Sequence, residues 1–314
     1  MPVMISDGTA VMQDRSVFMD KLECRVRFIP SFQRRFVEYE SNAVEDDCSF
    51  CDLRRHTGSS ASDLRGVPSR VTELPGRLLA LRNDFPYLRD QFTIIFEHHA
   101  ERIDRAMLRS MLEFVRRSHF RSAAMQVRGS GATIPGHAHF SVSTETIPIS
   151  HLPVTPVLTT RDTAIGVSRG LPHLVLVLDG SIVDEVSVAM DIIDILTRIG
   201  LSFNLYADDN ARVFIAPRRA ENSPSLGRKV GASLVSGIYP CYVPLSAQSL
   251  DPRQVLSLMF EHWRTVDVTA LVMAIRETTV AARLSCGPTS QIDDDLNRLL
   301  MEQISCLPKH KDET

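Results

Sequence analysis

Two small groups of residues in this chain have types and spacings suited to chemistry. The first is Cys48-Ser49-Phe50-Cys51, a C-x-x-C pair. Such a pair can serve as a dithiol redox couple or as half of a tetrahedral metal site, and two cysteines can also fall close together with no shared role. The second is His137-Ala138-His139, which follows the glycine-rich run 129–136. On a strand, alternate residues point to one face, so both histidines would address one small site. The plain alternative is a pair of exposed strand histidines. A glycine-rich turn lets backbone N–H groups approach a phosphate closely. A neutral imidazole at its exit can attack phosphorus, form a phosphoramidate, and yield the group to a second acceptor.

These residues need elements to hold them. Residues 92–96 (Phe-Thr-Ile-Ile-Phe) read as a strand, followed at once by Glu97-His98-His99. Ile103, Met107, Leu108, Met111, Leu112 and Val115 then recur at helical spacing between arginines, an amphipathic helix. A strand at 123–127 leads through the glycine-rich turn into a third strand at 137–142. The same order returns further on, with strand 174–178, helix 182–199, and strands 201–206 and 213–216, the last ending in Pro217-Arg218-Arg219. The second set has no H-x-H. Residues 147–160 carry three prolines and little periodicity, which places a boundary there. Residues 57–69, rich in Ser, Gly and Pro, read as a surface loop. Helices up to Trp263 and over 266–284 would close the chain, with a frayed tail at 309–314. The resulting division is an N-terminal segment 1–47, a first half 48–150 with the chemistry, a second half 151–250, and C-terminal helices and tail 251–314.

Composition limits the partners. The chain has 314 residues, 44% hydrophobic and 23% charged, enough apolar material for one large core or two smaller ones. Its formal net charge of -3 argues against a nucleic-acid-binding protein, whose domains concentrate Lys and Arg. The longest apolar stretch, 270–275, is far below the roughly 18 residues of a membrane span, and the start lacks a signal-peptide pattern. The expectation is a soluble, cytoplasmic protein, in which six cysteines are thiols or metal ligands rather than disulfides.

The run Gly131-Ala132-Thr133-Ile134-Pro135-Gly136-His137-Ala138-His139-Phe140 resembles the active-site segment of the histidine-triad superfamily, in the branch of galactose-1-phosphate uridylyltransferase and the GDP-galactose phosphorylases. Three other segments agree in order. Cys48-Ser49-Phe50-Cys51 resembles the branch's metal-binding cysteine pair, and Arg82-Asn83-Asp84-Phe85-Pro86-Tyr87 its nucleoside-binding segment. Phe203-Asn204-Leu205-Tyr206 with Val213-Phe214-Ile215-Ala216-Pro217-Arg218-Arg219 resembles the second-half signature of the phosphorylases.

The resemblance implies an α+β fold of two histidine-triad-like halves, each an antiparallel sheet with packed helices. It implies that His139 is the nucleophile, and that His137 joins Cys48, Cys51 and an upstream histidine in a structural zinc site. His99 suits that place better than His98, though the pair stays open here. Asn83 and Asp84 match positions that hold the ribose, and Gly131 and Thr133 lie in the phosphate turn. Arg218 with Arg219 could meet phosphate, or form a solvated arginine pair at a strand end. One position departs from the family: Ser141 stands where the transferases and phosphorylases have glutamine, and Gly136 is inserted relative to the transferase pattern.

The implied function is a nucleotidyltransferase or phosphorylase acting on a nucleoside diphosphate sugar or related dinucleotide, with phosphate or a sugar phosphate as acceptor. Ser141 keeps two alternatives in view, a nucleotide hydrolase and a catalytically silent nucleotide-binding protein. Members of the branch are commonly dimers, so a homodimer is compatible, while two halves in one chain could also complete the fold alone.

Overall fold

The structure is a computed structural model that describes residues 13–19, 22–29, 48, 50–51, 71–74, 78–83, 86–132, 134–160, 162–168, 174–219, 222–223, 228–229 and 231–241. The surface loop expected at 57–69 and the C-terminal helices and tail expected after 251 lie outside these residues. Among the described residues no helix is long and apolar enough to cross a membrane.

Strands β1 (Gln13–Met19) and β2 (Leu22–Phe28) are followed by β3 (Val71–Leu74), β4 (Leu78–Arg82) and β5 (Phe92–Ile95). Helix α1 (Arg105–Arg117) precedes β6 (Ser122–Gln126) and β7 (His139–Ser143). After a short 3-10 turn come β8 (Val154–Thr160), β9 (Thr163–Ser168), β10 (Leu176–Asp179), helix α2 (Ile182–Arg198), β11 (Ser202–Asp208) and β12 (Val213–Arg218). Two short strands, β13 (Asn222–Ser223) and β14 (Arg228–Lys229), lead to the one-turn helix α3 (Ala232–Val235) and β15 (Ile238–Cys241).

Ten strands form one antiparallel sheet in the order β3-β4-β5-β7-β6-β11-β12-β10-β9-β8, and the fold is α+β. Outward from its middle, the order β6-β7-β5-β4-β3 on one side is matched by β11-β12-β10-β9-β8 on the other. Where the repeated sequence pattern suggests a sheet in each half, β6 and β11 pair from Leu205 with Met125 to Asp208 with Ser122 and make the sheet continuous. A smaller sheet, β1-β2-β15, stands apart.

The sheet separates two cores. On one face Phe140, Val142, Met125, Leu205 and Ile215 pack against α1 and α2. Helix α1 forms because Met107, Leu108, Met111, Leu112 and Val115 make one apolar stripe, and because Asp104 Oδ1 accepts a hydrogen bond from the Met107 N–H at 2.8 Å as its N-cap. On the other face Tyr206, Phe214 and Val177 pack against β2, α3 and β15. Alternation along β7 therefore sends Phe140 and Val142 to the helices and leaves His139, Ser141 and Ser143 on the opposite face.

Two sequence expectations need correction. Residues 154–160 form a strand despite Pro156, because β8 is the outermost strand of the sheet and this proline sits at a register shift, where a missing N–H is tolerated. The third strand begins at His139, so His137 precedes it and the two histidines do not share a strand face.

Candidate active site

The cysteine pair closes into a compact donor set with two histidines. One ligand atom each from Cys48, Cys51, His99 and His137 lies within 4.8 Å of all the others. His137 Nδ1 is 3.3 Å from Cys48 Sγ and 3.5 Å from Cys51 Sγ, and His99 Nδ1 is 3.3 Å from Cys51 Sγ. Two thiols and two imidazole nitrogens are the donor set of a closed tetrahedral zinc site. The far side of the buried His137 ring suits the same role, because Nε2–H donates to the Phe96 carbonyl at 3.3 Å and leaves Nδ1 with its lone pair toward the cysteines. His98 is turned away, its Nε2 lying 3.6 Å from Asp104 Oδ2.

His139 stands beside this set with a different assignment. Its Nδ1–H donates to the His137 carbonyl at 2.8 Å, and because a carbonyl only accepts, the lone pair is on Nε2. Burial pushes its pKa down to about 4, against the hydrogen bond to the His137 carbonyl, which acts the other way. The Phe50 ring from the C-x-x-C turn meets the His139 ring edge-on, with centroids 4.9 Å apart, and the His137 ring at 5.8 Å. Ser141, two residues on, shares the face and is buried.

Directly across from His139 stands Gln126, the last residue of β6. The glycine-rich turn begins three residues later, at Gly129. Gly129 has a φ of 89°, and an added Cβ would lie 2.9 Å from Ser202 Cβ, so both backbone conformation and close approach to β11 require glycine. Asn204 and Arg218 hold the turn from beneath: Asn204 Nδ2 and Arg218 Nη1 donate to the Ser130 carbonyl at 2.7 and 3.1 Å, and Arg218 Nη1 also donates to Asn204 Oδ1 at 2.9 Å. Arg218 is wholly buried while Arg219 is exposed, which overturns the solvated arginine pair. Arg218 supports the turn's backbone from the second set of strands.

Asn83 follows β4, whose last residue, Arg82, has Phe92 and then Val142 of β7 as its neighbours across the sheet. It therefore lies toward the far end of β7 from His139. Its N–H donates to the Gln91 carbonyl at 3.0 Å, and Gln91 Oε1 accepts from the Tyr87 and Leu88 N–H groups at 2.8 and 3.2 Å. Asp84 and Thr133 lie outside the described residues. Sequence reasoning missed the ion cluster behind this segment. Buried Arg27 donates to the Tyr87 carbonyl at 2.8 Å, to Glu145 at 2.7 and 2.8 Å, and to Asp14 at 2.6 Å. Burial opposes ionisation of Glu145, but the Arg27 guanidinium holds its carboxyl below the usual carboxylate range. Nothing in local sequence pairs Arg27 with Glu145, since 118 residues separate them.

This arrangement of strands has solved counterparts. Yeast Ap4A phosphorylase matches with a TM-score of 0.58 at 12% identity, covering 80% of this chain and 90% of that chain. The chain shares the fold of that enzyme. The same yeast enzyme in complex with Ap4A matches at a TM-score of 0.56 and 12% identity, covering 82% of this chain and 90% of that one. An ADP-glucose phosphorylase from Arabidopsis thaliana with bound ADP-glucose overlaps more loosely, at a TM-score of 0.36 and 11% identity over 82% of this chain and 99% of that chain. No family model and no curated protein matches the chain. Likeness at this identity establishes the fold, and the chemistry has to be argued from the side chains.

Proposed function

We propose that the chain is a nucleotidyltransferase or phosphorylase that works through a nucleotidyl-histidine on His139, within a fold of two related halves of which only the first carries chemistry. The observation that supports this most directly is the tautomer of His139: with Nδ1–H committed to the His137 carbonyl, the nucleophilic lone pair is on Nε2, on the strand that follows the glycine-rich turn. The substrate is a nucleoside diphosphate sugar or a dinucleoside polyphosphate, the latter being the kind of molecule bound by the matching yeast enzyme.

In the first step the Nε2 lone pair forms a bond to the α-phosphorus, and the bond from phosphorus to the bridging oxygen breaks, its electron pair leaving with the departing phosphate or sugar 1-phosphate. The ring then carries positive charge, and the His137 carbonyl dipole at Nδ1–H stabilises it. In the second step an oxygen of inorganic phosphate or a sugar phosphate bonds to the same phosphorus and Nε2 recovers its lone pair. The backbone of the turn from Gly129 to Gly131, held by Asn204 and Arg218, lies against the phosphates. Asn83 and Asp84 hold the ribose, and Thr133 adds a hydroxyl at the turn. Cys48, Cys51, His99 and His137 would hold zinc, which supplies a structural closure with no open coordination position.

The test is to mix the full chain with Ap4A, ADP-glucose, UDP-glucose and GDP-galactose and to weigh the intact protein. A nucleotidyl adduct that His139→Ala abolishes is the expected result, and no adduct with any of the four overturns the reading. Ser141, in place of glutamine, favours hydrolysis as a second reading. Nucleoside monophosphate release that is indifferent to added phosphate would establish it.

A further inference from the structure

We infer that Arg27 is a positioning residue for nucleotide binding: with Glu145 it clamps segment 86–91 behind Asn83, so that the β1–β2 hairpin sets affinity for the nucleoside without touching it. The inference rests on the reading of Asn83 as a ribose ligand.

Segment 86–91 leads into β5 and has no helix or strand of its own to fix it. Its backbone is held from outside instead. The Tyr87 carbonyl accepts from Arg27 Nη1 at 2.8 Å, the Arg89 N–H donates to Glu145 Oε2 at 3.1 Å, and the Arg89 carbonyl accepts from Ser143 Oγ at 2.6 Å. Thr144 Oγ1 donates to Asp90 Oδ2 at 3.0 Å, where the Asp90 backbone has a φ of 45°. That left-handed conformation disfavours most side chains, so an outside contact helps to keep it. The segment closes on Asn83, whose N–H donates to the Gln91 carbonyl at 3.0 Å. Where Asn83 stands is thus decided by residues of β2 and of the exit from β7.

Glu145 is the hub of these bonds. Its carboxylate accepts from both Arg27 Nη atoms, at 2.7 and 2.8 Å, from Arg25 Nη1 at 2.6 Å, and from the Arg89 N–H. A two-pronged guanidinium contact fixes the orientation of a carboxylate as well as its distance. The other edge of the buried Arg27 guanidinium meets both oxygens of Asp14 at 2.6 Å. Arg25 and Arg27 therefore balance Asp14 and Glu145. Removing one member leaves the others uncompensated, and the carboxylate that carries the Arg89 N–H loses its fixed place.

The effect should fall on binding. Glu145 lies two residues beyond the end of β7 opposite His139, so a loosened clamp shifts the ribose contact while the imidazole keeps its bond to the His137 carbonyl. Losing a contact made equally in the ground and transition states weakens half-saturation and spares the rate at saturation.

The experiment uses the zinc-loaded full chain. Hydrogen exchange without nucleotide reads the clamp, and rapid quenching with intact mass reads adduct formation from whichever of the four nucleotides above gives the largest adduct. Arg27→Lys keeps the charge but cannot present a fork to Glu145 and Asp14 together. Glu145→Gln keeps the shape and removes the charge. Each should speed exchange of the 87–91 amides more than that of the α1 amides. Each should also raise the half-saturating nucleotide concentration about ten-fold, the worth of one well-placed hydrogen bond, with the rate at saturation within about two-fold of wild type. The double variant should be no weaker than the worse single one, because both break one clamp. Val115→Ala, which loosens the core on the other face of the sheet, should keep wild-type half-saturation. Unchanged half-saturation in both single variants, or an equal rise in Val115→Ala, overturns the role. So does a rate at saturation that falls as far as affinity. Unaltered exchange at 87–91 in Arg27→Lys overturns the clamp alone, whereas a wild-type chain that forms no adduct overturns the reading of the site on which this role rests. If Arg27→Lys does not fold, Glu145→Gln decides in its place.

Discussion

The ring of Phe50 meets the ring of His139 edge-on with 4.9 Å between centroids. Phe50 lies between the two cysteines of the C-x-x-C turn and is buried with Leu79 and Ile95. The turn that offers the thiols therefore also supplies one wall of the nucleophile's pocket, and that wall limits how the imidazole can rotate.

Replacing Phe50 removes that wall. Phe50→Ala should cost about 3 kcal/mol in urea unfolding, as expected for a truncated buried ring. It should also slow adduct formation at His139 more than it weakens nucleotide binding, because the Phe50 ring is in contact with the imidazole. Phe50→Leu should keep most of both. An adduct rate unaffected by Phe50→Ala would show that the contact does not position His139.

The two adjacent histidines should behave differently toward metal. His99 Nδ1 points at Cys51 Sγ from 3.3 Å, whereas His98 faces Asp104. Elemental analysis should find one zinc per wild-type chain, a full complement in His98→Ala, and a large loss in His99→Ala and in Cys48→Ser. Equal zinc in the two histidine variants would remove His99 from the ligand set.

A third expectation concerns pH and lies away from the site. Glu185, in the first turn of α2, is buried, and its Oε1 accepts the Gly180 N–H at 2.9 Å while Oε2 has no hydrogen-bond partner among the described residues. Burial raises its pKa to about 8; the Gly180 N–H opposes this, Asp179 and Asp208 add to it, and Arg116 on α1 opposes it. The folded carboxyl thus holds its proton more tightly than the unfolded one, so its contribution to stability is complete below the ordinary value of 4.5 and declines as pH rises toward about 8. Glu185→Gln, which mimics the protonated form, should match wild type in Tm at about pH 5 and exceed it by a growing margin up to about pH 8. A constant difference across that range would contradict the assignment.

Much of the local structure was legible before any tertiary contact. The stripe from Met107 to Val115 specifies α1 because burial of one helical face is a local pattern. The alternation His139-Phe140-Ser141-Val142 puts histidine and serine on one face because a strand repeats every two residues. Other features were hidden. Residues 154–160 became a strand because the edge of the sheet tolerates proline, and being at the edge is a property of the whole sheet. Arg27 and Glu145 give no local sign of each other, yet in the fold each leaves the other few alternatives.

By itself, the sequence determined the residue types that chemistry needs, two thiols and several imidazoles near a glycine-rich turn, together with the helices and strands that carry them. Only the tertiary structure decided which of those residues meet. It chose His99 over His98, buried Arg218 beneath the turn, joined two sets of strands through β6 and β11, and set Gln126 opposite His139. The physical reason is register. Side-chain direction within a strand follows from local backbone geometry, but which residue stands opposite which depends on how segments far apart in the chain pair and pack together.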